Sequence, residues 1–94
     1  MNVTIRFFGV LRNITGKNRL TIKFKDTALL KDIIKEIVQE ISGLKRTLID
    51  PELEDPRPNT LILVNGKEIS ILDGLETMLK DGDEIVLIPV LHTG

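Results

Sequence analysis

Between residues 30 and 41 the chain carries a single apolar stripe. Leu30, Ile33, Ile34, Ile37, Val38 and Ile41 fall at i, i+3, i+4, i+7, i+8 and i+11, with Lys31, Asp32, Lys35, Glu36, Gln39 and Glu40 on the other side. At 3.6 residues per turn this predicts an amphipathic helix of roughly three to four turns with one face to bury. Asp26 or Thr27 is placed to cap its start, a side-chain oxygen accepting from an exposed backbone N–H. Gly43 is placed to end it by taking positive φ. In a chain of 94 residues, enough for one modest core, the surface that covers this stripe must come from the segments on either side.

Those segments read as strands. Val3, Ile5 and Phe7 alternate with Thr4, Arg6 and Phe8, and Leu20, Ile22 and Phe24 alternate with Thr21, Lys23 and Lys25. Period two with β-branched and aromatic residues is a strand pattern. The turn-rich stretch 13–18 then joins the two strands as a hairpin. Leu61-Ile62-Leu63-Val64 and Ile85-Val86-Leu87-Ile88 are continuous apolar runs, as expected of interior strands covered on both faces. Asn65-Gly66 is a tight-turn signal, and residues 67–71 give a short edge strand at best. Residues 73–83 read as turns with one helical turn holding Leu75, Met78 and Leu79. Pro89 should end the last ladder, because it has no N–H to donate. The order strand, strand, helix, strand, short strand, strand predicts one α+β domain over residues 1–94, a mixed sheet of four to five strands packed on one main helix. A flexible C-terminal tail is expected from about residue 90.

Composition narrows the chemistry. With no cysteine there is no disulfide, thiolate nucleophile or cysteine metal site. A net charge of −1, with no tyrosine or tryptophan, speaks against nucleic acid as the main partner. No apolar run approaches the roughly 20 residues of a membrane span, and the first residues lack a signal-peptide pattern. The expected location is cytoplasmic, with no membrane partner.

Several segments, in this order, resemble the β-grasp (ubiquitin-like) sulfur carriers, such as the molybdopterin synthase small subunit and the ubiquitin-related modifier. Phe7-Phe8-Gly9-Val10-Leu11-Arg12 with Thr15-Gly16 is similar to the family's opening hairpin. Leu63-Val64-Asn65-Gly66-Lys67 is similar to its third strand and turn. Leu79-Lys80-Asp81-Gly82-Asp83-Glu84-Ile85, continued by Ile88-Pro89-Val90, is similar to its last strand. Leu91-His92 stands closer to the ubiquitin-related modifiers. Where the family ends in Gly-Gly, this chain ends in Thr93-Gly94.

The resemblance implies a carrier, not an enzyme. A separate ATP-dependent adenylating enzyme would activate the carboxylate of Gly94 as an acyl-adenylate, and sulfur would replace the adenylate to give a thiocarboxylate. The sulfur would serve molybdopterin synthesis, through the synthase large subunit, or tRNA thiolation. No cofactor is bound by the carrier; ATP is used by the partner. Glycine suits the terminal position because it lacks Cβ and leaves its carbonyl open to attack. Thr93 places a stiff β-branched side chain where the family has none. His92, the only histidine, has no partner at a catalytic or metal-ligand spacing. It reads as a solvated tail residue that contacts the activating enzyme, as do Leu91 and Thr93.

A second functional surface follows from parity. If Val3, Ile5 and Phe7 face the core, Arg6 and Phe8 face outward. Val86 and Ile88 do so if Ile85 and Leu87 face in, and Leu63 does so if Ile62 and Val64 face in. An exposed apolar patch on a small domain marks a partner site, and the family docks its activating enzyme and target subunit on this face. Arg12 is either a charged contact at its edge or simply solvated. The acidic, proline-rich stretch with Asp50, Glu52, Glu54 and Asp55 reads as a solvated surface loop, not a metal site. Two other readings stay open: a modifier conjugated to lysines, and a non-conjugated interaction module, for which Thr93 is the argument.

Overall fold

A computed structural model describes residues 1–90; the expectations on Leu91, His92, Thr93 and Gly94 lie outside the described residues. Five strands form a mixed sheet: β1 (Asn2–Phe7), β2 (Arg19–Lys23), β4 (Thr60–Val64), β5 (Lys67–Glu68) and β7 (Glu84–Pro89), in the order β2-β1-β7-β4-β5. β1 and β7 run parallel at the centre, with Ile5 beside Ile85 and Phe7 beside Leu87. Antiparallel β2 and β4 flank them. Helix α2 (Leu30–Glu40) lays its stripe on one face, burying Leu30, Ile33, Ile34 and Ile37. Against it stand Val3, Ile5, Phe7, Ile62, Val64, Ile85 and Leu87 in one core. The α+β class and the four-to-five-strand sheet agree with the expectation.

Local structure departs from it in several places. The connection after β1 is not an open loop but a short helix, α1 (Val10–Thr15). Leu11 and Ile14, three apart, are drawn into the core, and Gly16 caps the helix at φ 70, its N–H donating to the Arg12 carbonyl. Asp26-Thr27 does not cap α2. Residues Ala28–Leu29 form a short strand, β3, paired with β6 (Met78–Leu79), so the helix begins one turn later. There Asp32 Oδ2 accepts from the Leu29 N–H at 3.1 Å. Met78 and Leu79 therefore belong to a strand. Of the three residues expected in a helical turn, only Leu75 lies in one, the 3₁₀ segment Gly74–Glu76.

Gly43 does take positive φ, at 84°, but α2 ends at Glu40 and Gly43 leads into a further helix, α3 (Leu44–Leu48). Its buried Leu44 and Leu48 close the end of the core. The edge strand β5 stops after Glu68, and a 3₁₀ turn at Ile69–Ile71 turns Ile69 into the core. Asn65 (φ 50) and Gly66 (φ 81) both adopt the left-handed region that a two-residue hairpin turn requires.

Pro89 is the last residue of β7, and the ladder runs one bond beyond it. The Val90 N–H donates to the Asn59 carbonyl at 2.9 Å. Even-numbered residues of β7 point their N–H toward β4, so the donor that Pro89 lacks would face β1. β1 has ended there. The Phe8 carbonyl, which a donor at position 89 would have met, accepts instead from the Leu11 N–H at 3.2 Å. Proline is tolerated because its neighbour strand has already turned into α1.

Candidate functional site: the outer sheet face and the strand that leads to the tail

The sheet's outer face is built by the residues that alternate with the core. The pairing sets Arg6 beside Val86 and Val86 beside Leu63, while Leu61 stands beside Ile88. Arg6, Phe8, Leu63 and Ile88 are half-buried, as parity predicts for residues that face away from the helix. Val86 is a correction. It belongs to this face but is only 7 % exposed. A small side chain on the central strand is covered by longer neighbours on both sides, Arg6 and Leu63. The runs 61–64 and 85–88 are thus not covered on both faces throughout: Leu61 is 38 % exposed.

Phe8 is the centre of the patch. The Arg6 guanidinium carbon stands 5.2 Å from its ring centroid and that of Arg12 stands 5.7 Å away. The ring quadrupole attracts both guanidiniums and so gathers two cations at one aromatic side chain. Arg12 is steadied further by its Nε–H, which donates to the Phe7 carbonyl at 3.4 Å. Arg6 also lies 3.9 Å from Glu84, a pair about 40 % exposed on each side and so of little net energy. Arg19 stands beside Arg6 in the β1–β2 register, and with Arg12 and Asn18 they line a shallow hollow of about 230 Å³. The surface is an apolar strip bordered by three arginines.

Its position matters as much as its make-up. Because β1 and β7 are parallel, their last residues lie at the same end of the sheet. A Cβ added at Gly9 (φ 56) would stand 3.4 Å from the Pro89 ring, so the chain after Phe8 runs against the end of β7. Val90, 44 % exposed, follows directly, its N–H on the Asn59 carbonyl and its side chain near Leu61, so the chain leaves β7 at the same sheet end at which Phe8 leaves β1. Of the residues expected from the sequence, the structure brings together Arg6, Phe8, Arg12, Leu63, Val86 and Ile88. Leu61 and Arg19 join them and were missed; Val90, where the tail was expected to begin, stands at the end of β7. The same parity that selects Leu63 selects Leu61; Arg19 needs the β1–β2 register, which the sequence does not print.

The two aspartates of the acidic stretch are engaged within its own loop. Asp50 Oδ1 accepts from the N–H groups of Glu52 and Leu53, both at 2.9 Å. Asp55 pairs with Arg57, whose Nε–H reaches its two oxygens at 3.0 and 3.1 Å. The hydrogen bonds from Arg57 hold the Asp55 carboxyl below its ordinary value. Among the described residues no group of three or more histidine, aspartate or glutamate side chains is arranged to hold a metal ion. No helix among them is long and apolar enough to cross a membrane.

Residues 5–92 match the model of the ThiS family. The chain is 31% identical to the small archaeal modifier protein 3 of Haloferax volcanii, over 100% of both chains. It is 30% identical to the sulfur carrier protein CysO of Mycobacterium tuberculosis, again over 100% of both. In the crystal structure of the BexX/CysO complex from Amycolatopsis orientalis, a chain 27% identical superposes with a TM-score of 0.74, covering 98% of this chain and 99% of that one. The strand order, the helix-covered sheet face and these matches agree: the chain is a ubiquitin-like β-grasp protein and belongs to the ThiS family, among relatives that are sulfur carriers and small protein modifiers.

Proposed function

We propose that the protein is a sulfur carrier whose C-terminal carboxylate, on Gly94, is activated by a separate ATP-dependent adenylating enzyme. The carboxylate attacks the α-phosphate of ATP and releases pyrophosphate. A sulfur nucleophile then displaces AMP and leaves a thiocarboxylate. The carrier contributes the carboxylate and the docking surface; it supplies no catalytic group, binds no cofactor, and works in the cytoplasm.

One observation carries this reading. The apolar, arginine-bordered patch around Phe8 lies at the same sheet end as Val90, so a partner seated on Phe8, Leu61, Leu63 and Ile88 has the tail delivered to it. Arg6 and Arg12 face acidic groups on that partner, and Leu91, His92 and Thr93 line the path to its active site. That a CysO chain is known in complex with another protein, BexX, supports partner docking as the working mode. The synthase large subunit or a thiolation partner would receive the sulfur.

Incubation with an activating enzyme, ATP and a sulfide donor, followed by intact-mass measurement, tests the proposal. The expected result is a mass gain of one sulfur-for-oxygen exchange, absent when Gly94 is deleted. An unchanged mass while the enzyme charges its own carrier would refute it. The similarity to a small archaeal modifier favours a second role for the same activated carboxylate, transfer to a lysine amine. Lysine-linked adducts in cell extracts would establish it. A Thr93→Gly variant that gains ATP–pyrophosphate exchange from a native chain with none would instead point to a non-conjugated interaction module.

A further inference from the structure

The helical layer, on the other side of the sheet from the Phe8 patch, carries two features that the carrier role leaves unused. One is a groove of about 410 Å³ beside α2. Its floor is apolar, from Ile34, Val38, Ile49 and Leu75, and Lys31, Lys35 and Lys45 stand at its rim. Lys31 is held by Glu76, Nζ to Oε1 at 2.9 Å, but among the described residues Lys35, Lys45 and Arg46 have no ion-pair partner. A second hollow, lined in part by Arg46 and Pro51, shares Lys45, Ile49 and Glu54 with the first and so extends it.

The other feature is the loop that borders this groove. Its tip presents Leu53, 69 % exposed, between the exposed Glu52 and Glu54. The tip is held in shape. Asp50 accepts from the two following N–H groups through its carboxylate, the Glu54 N–H donates to the Asp50 carbonyl at 2.8 Å, and the Asp50 N–H donates to the Asp55 carbonyl at 2.9 Å. Glu52 and Glu54 have no ion pair among the described residues. An ordered, acid-flanked leucine costs little further entropy to dock.

The two features are complementary, an apolar tip with two carboxylates and an apolar floor with free cations, and they adjoin, because Glu54 lines the groove. A two-fold axis between adjoining complementary patches satisfies both at once, loop into the partner copy's groove and groove over its loop. We propose that the occupant of this groove is a second copy of this chain, forming a weak two-fold dimer through the 50–55 loop and the basic face of α2 and α3. Each protomer then keeps its sheet face and C-terminal strand free, so the dimer presents two carrier tails. The dimer is expected to be weak, with a dissociation constant on the order of 100 μM at low salt.

Sedimentation equilibrium of the full chain from about 10 μM to about 1 mM spans that value. The expected result is a monomer–dimer equilibrium that weakens roughly tenfold on going to high salt. A monomer mass throughout overturns the proposal. Two charge reversals locate the interface, Glu52→Lys with Glu54→Lys, and Lys35→Glu with Lys45→Glu. All four side chains are exposed, and far-UV circular dichroism checks each fold. Each variant alone should be monomeric, and an equimolar mixture should regain the dimer mass. A mixture that stays monomeric, or single variants that dimerise as the native chain does, overturns it. Leu53→Asp should abolish dimerisation, and should it not, the docking of the tip is wrong. Arg6→Glu, on the opposite face, should leave the dimer intact; loss there would reassign association to the Phe8 patch. Thiocarboxylate formation is read separately by mass, so a failed dimer and a failed carrier are distinguishable.

Discussion

The two faces of the sheet are made from the same strands and differ by one residue in step. On the inner face Val3, Ile5, Phe7, Ile62, Val64, Ile85 and Leu87 are all buried in one core with the stripe of α2. On the outer face Arg6, Phe8, Leu61, Leu63 and Ile88 stand on the same backbone, half-buried or exposed. The outer face is polar along β2 and the start of β1, with Thr4, Arg19, Thr21 and Lys23, but along β4 and the end of β7 it is apolar where a solvated face would be polar. The inner residues are there because the helix stripe has to be covered. The outer apolar residues are not needed for that, and an apolar strip that the fold does not use is a surface kept for something else.

Truncation on either side of one peptide bond is the sharpest way to break the comparison. Leu87→Ala removes a fully buried side chain from the central strand and leaves a cavity that the flanking strands cannot collapse into. The expected cost is about 2–5 kcal/mol, a large part of the stability of a domain this size. Ile88→Ala, the next residue, removes apolar area that is only half-buried, and the expected cost is roughly 1 kcal/mol. Urea unfolding of both variants measures this. Equal losses would mean that the outer face is as much core as the inner one.

Phe8→Ala tests the other half. The two guanidiniums lose their platform, worth on the order of 0.5–1 kcal/mol, and the melting temperature should move little. Recognition should move more. Loss of a central aromatic anchor raises the KM of the activating enzyme for the carrier by roughly 30-fold or more, with kcat nearly unchanged. Steady-state adenylation kinetics against carrier concentration separate the two. A lowered melting temperature with unchanged KM would make Phe8 a structural residue.

How far the sequence displays this arrangement depends on the range of the signal. The alternation in β1, β4 and β7 and the stripe of α2 are local, and from them the two-layer fold and the outward set Arg6, Phe8, Leu63 and Ile88 follow directly. Burial is less local. Val86 has the right parity, yet its cover comes from Arg6 and Leu63 on two other strands, the nearer of them more than twenty residues away. The short β3–β6 pair displaces the expected cap at Asp26-Thr27, because the two strands are joined only through tertiary contact across some fifty residues. Gly16, read within a turn, caps α1, and Gly43, read as the end of α2, is the N-cap of α3; both helices are too short to show a periodicity of their own. The resemblance of the whole chain named the family; the tail that would perform the chemistry was visible as sequence alone.

The smallest effect sets a scale for charge on the surface against packing within. Arg57 holds the Asp55 carboxyl below its ordinary value through side-chain hydrogen bonds. A carboxyl whose folded value is depressed stabilises the fold at every pH above the unfolded value, near 3.9. That contribution is lost as pH falls through the lower folded value. Asp55→Asn keeps an oxygen to accept from the Arg57 backbone N–H, which Asp55 Oδ1 now binds at 2.8 Å, and removes only the charge. Arg57 is 55 % exposed, so solvent screens the pair, and the expected loss is about 0.5 kcal/mol. The difference between the native chain and the variant should be constant above about pH 5 and shrink below pH ~4. Urea midpoints measured across that range check it. A difference that persists unchanged into acid would mean that Asp55 acts by shape and hydrogen bonding alone. The loop that displays Leu53 would then be held without help from its charge.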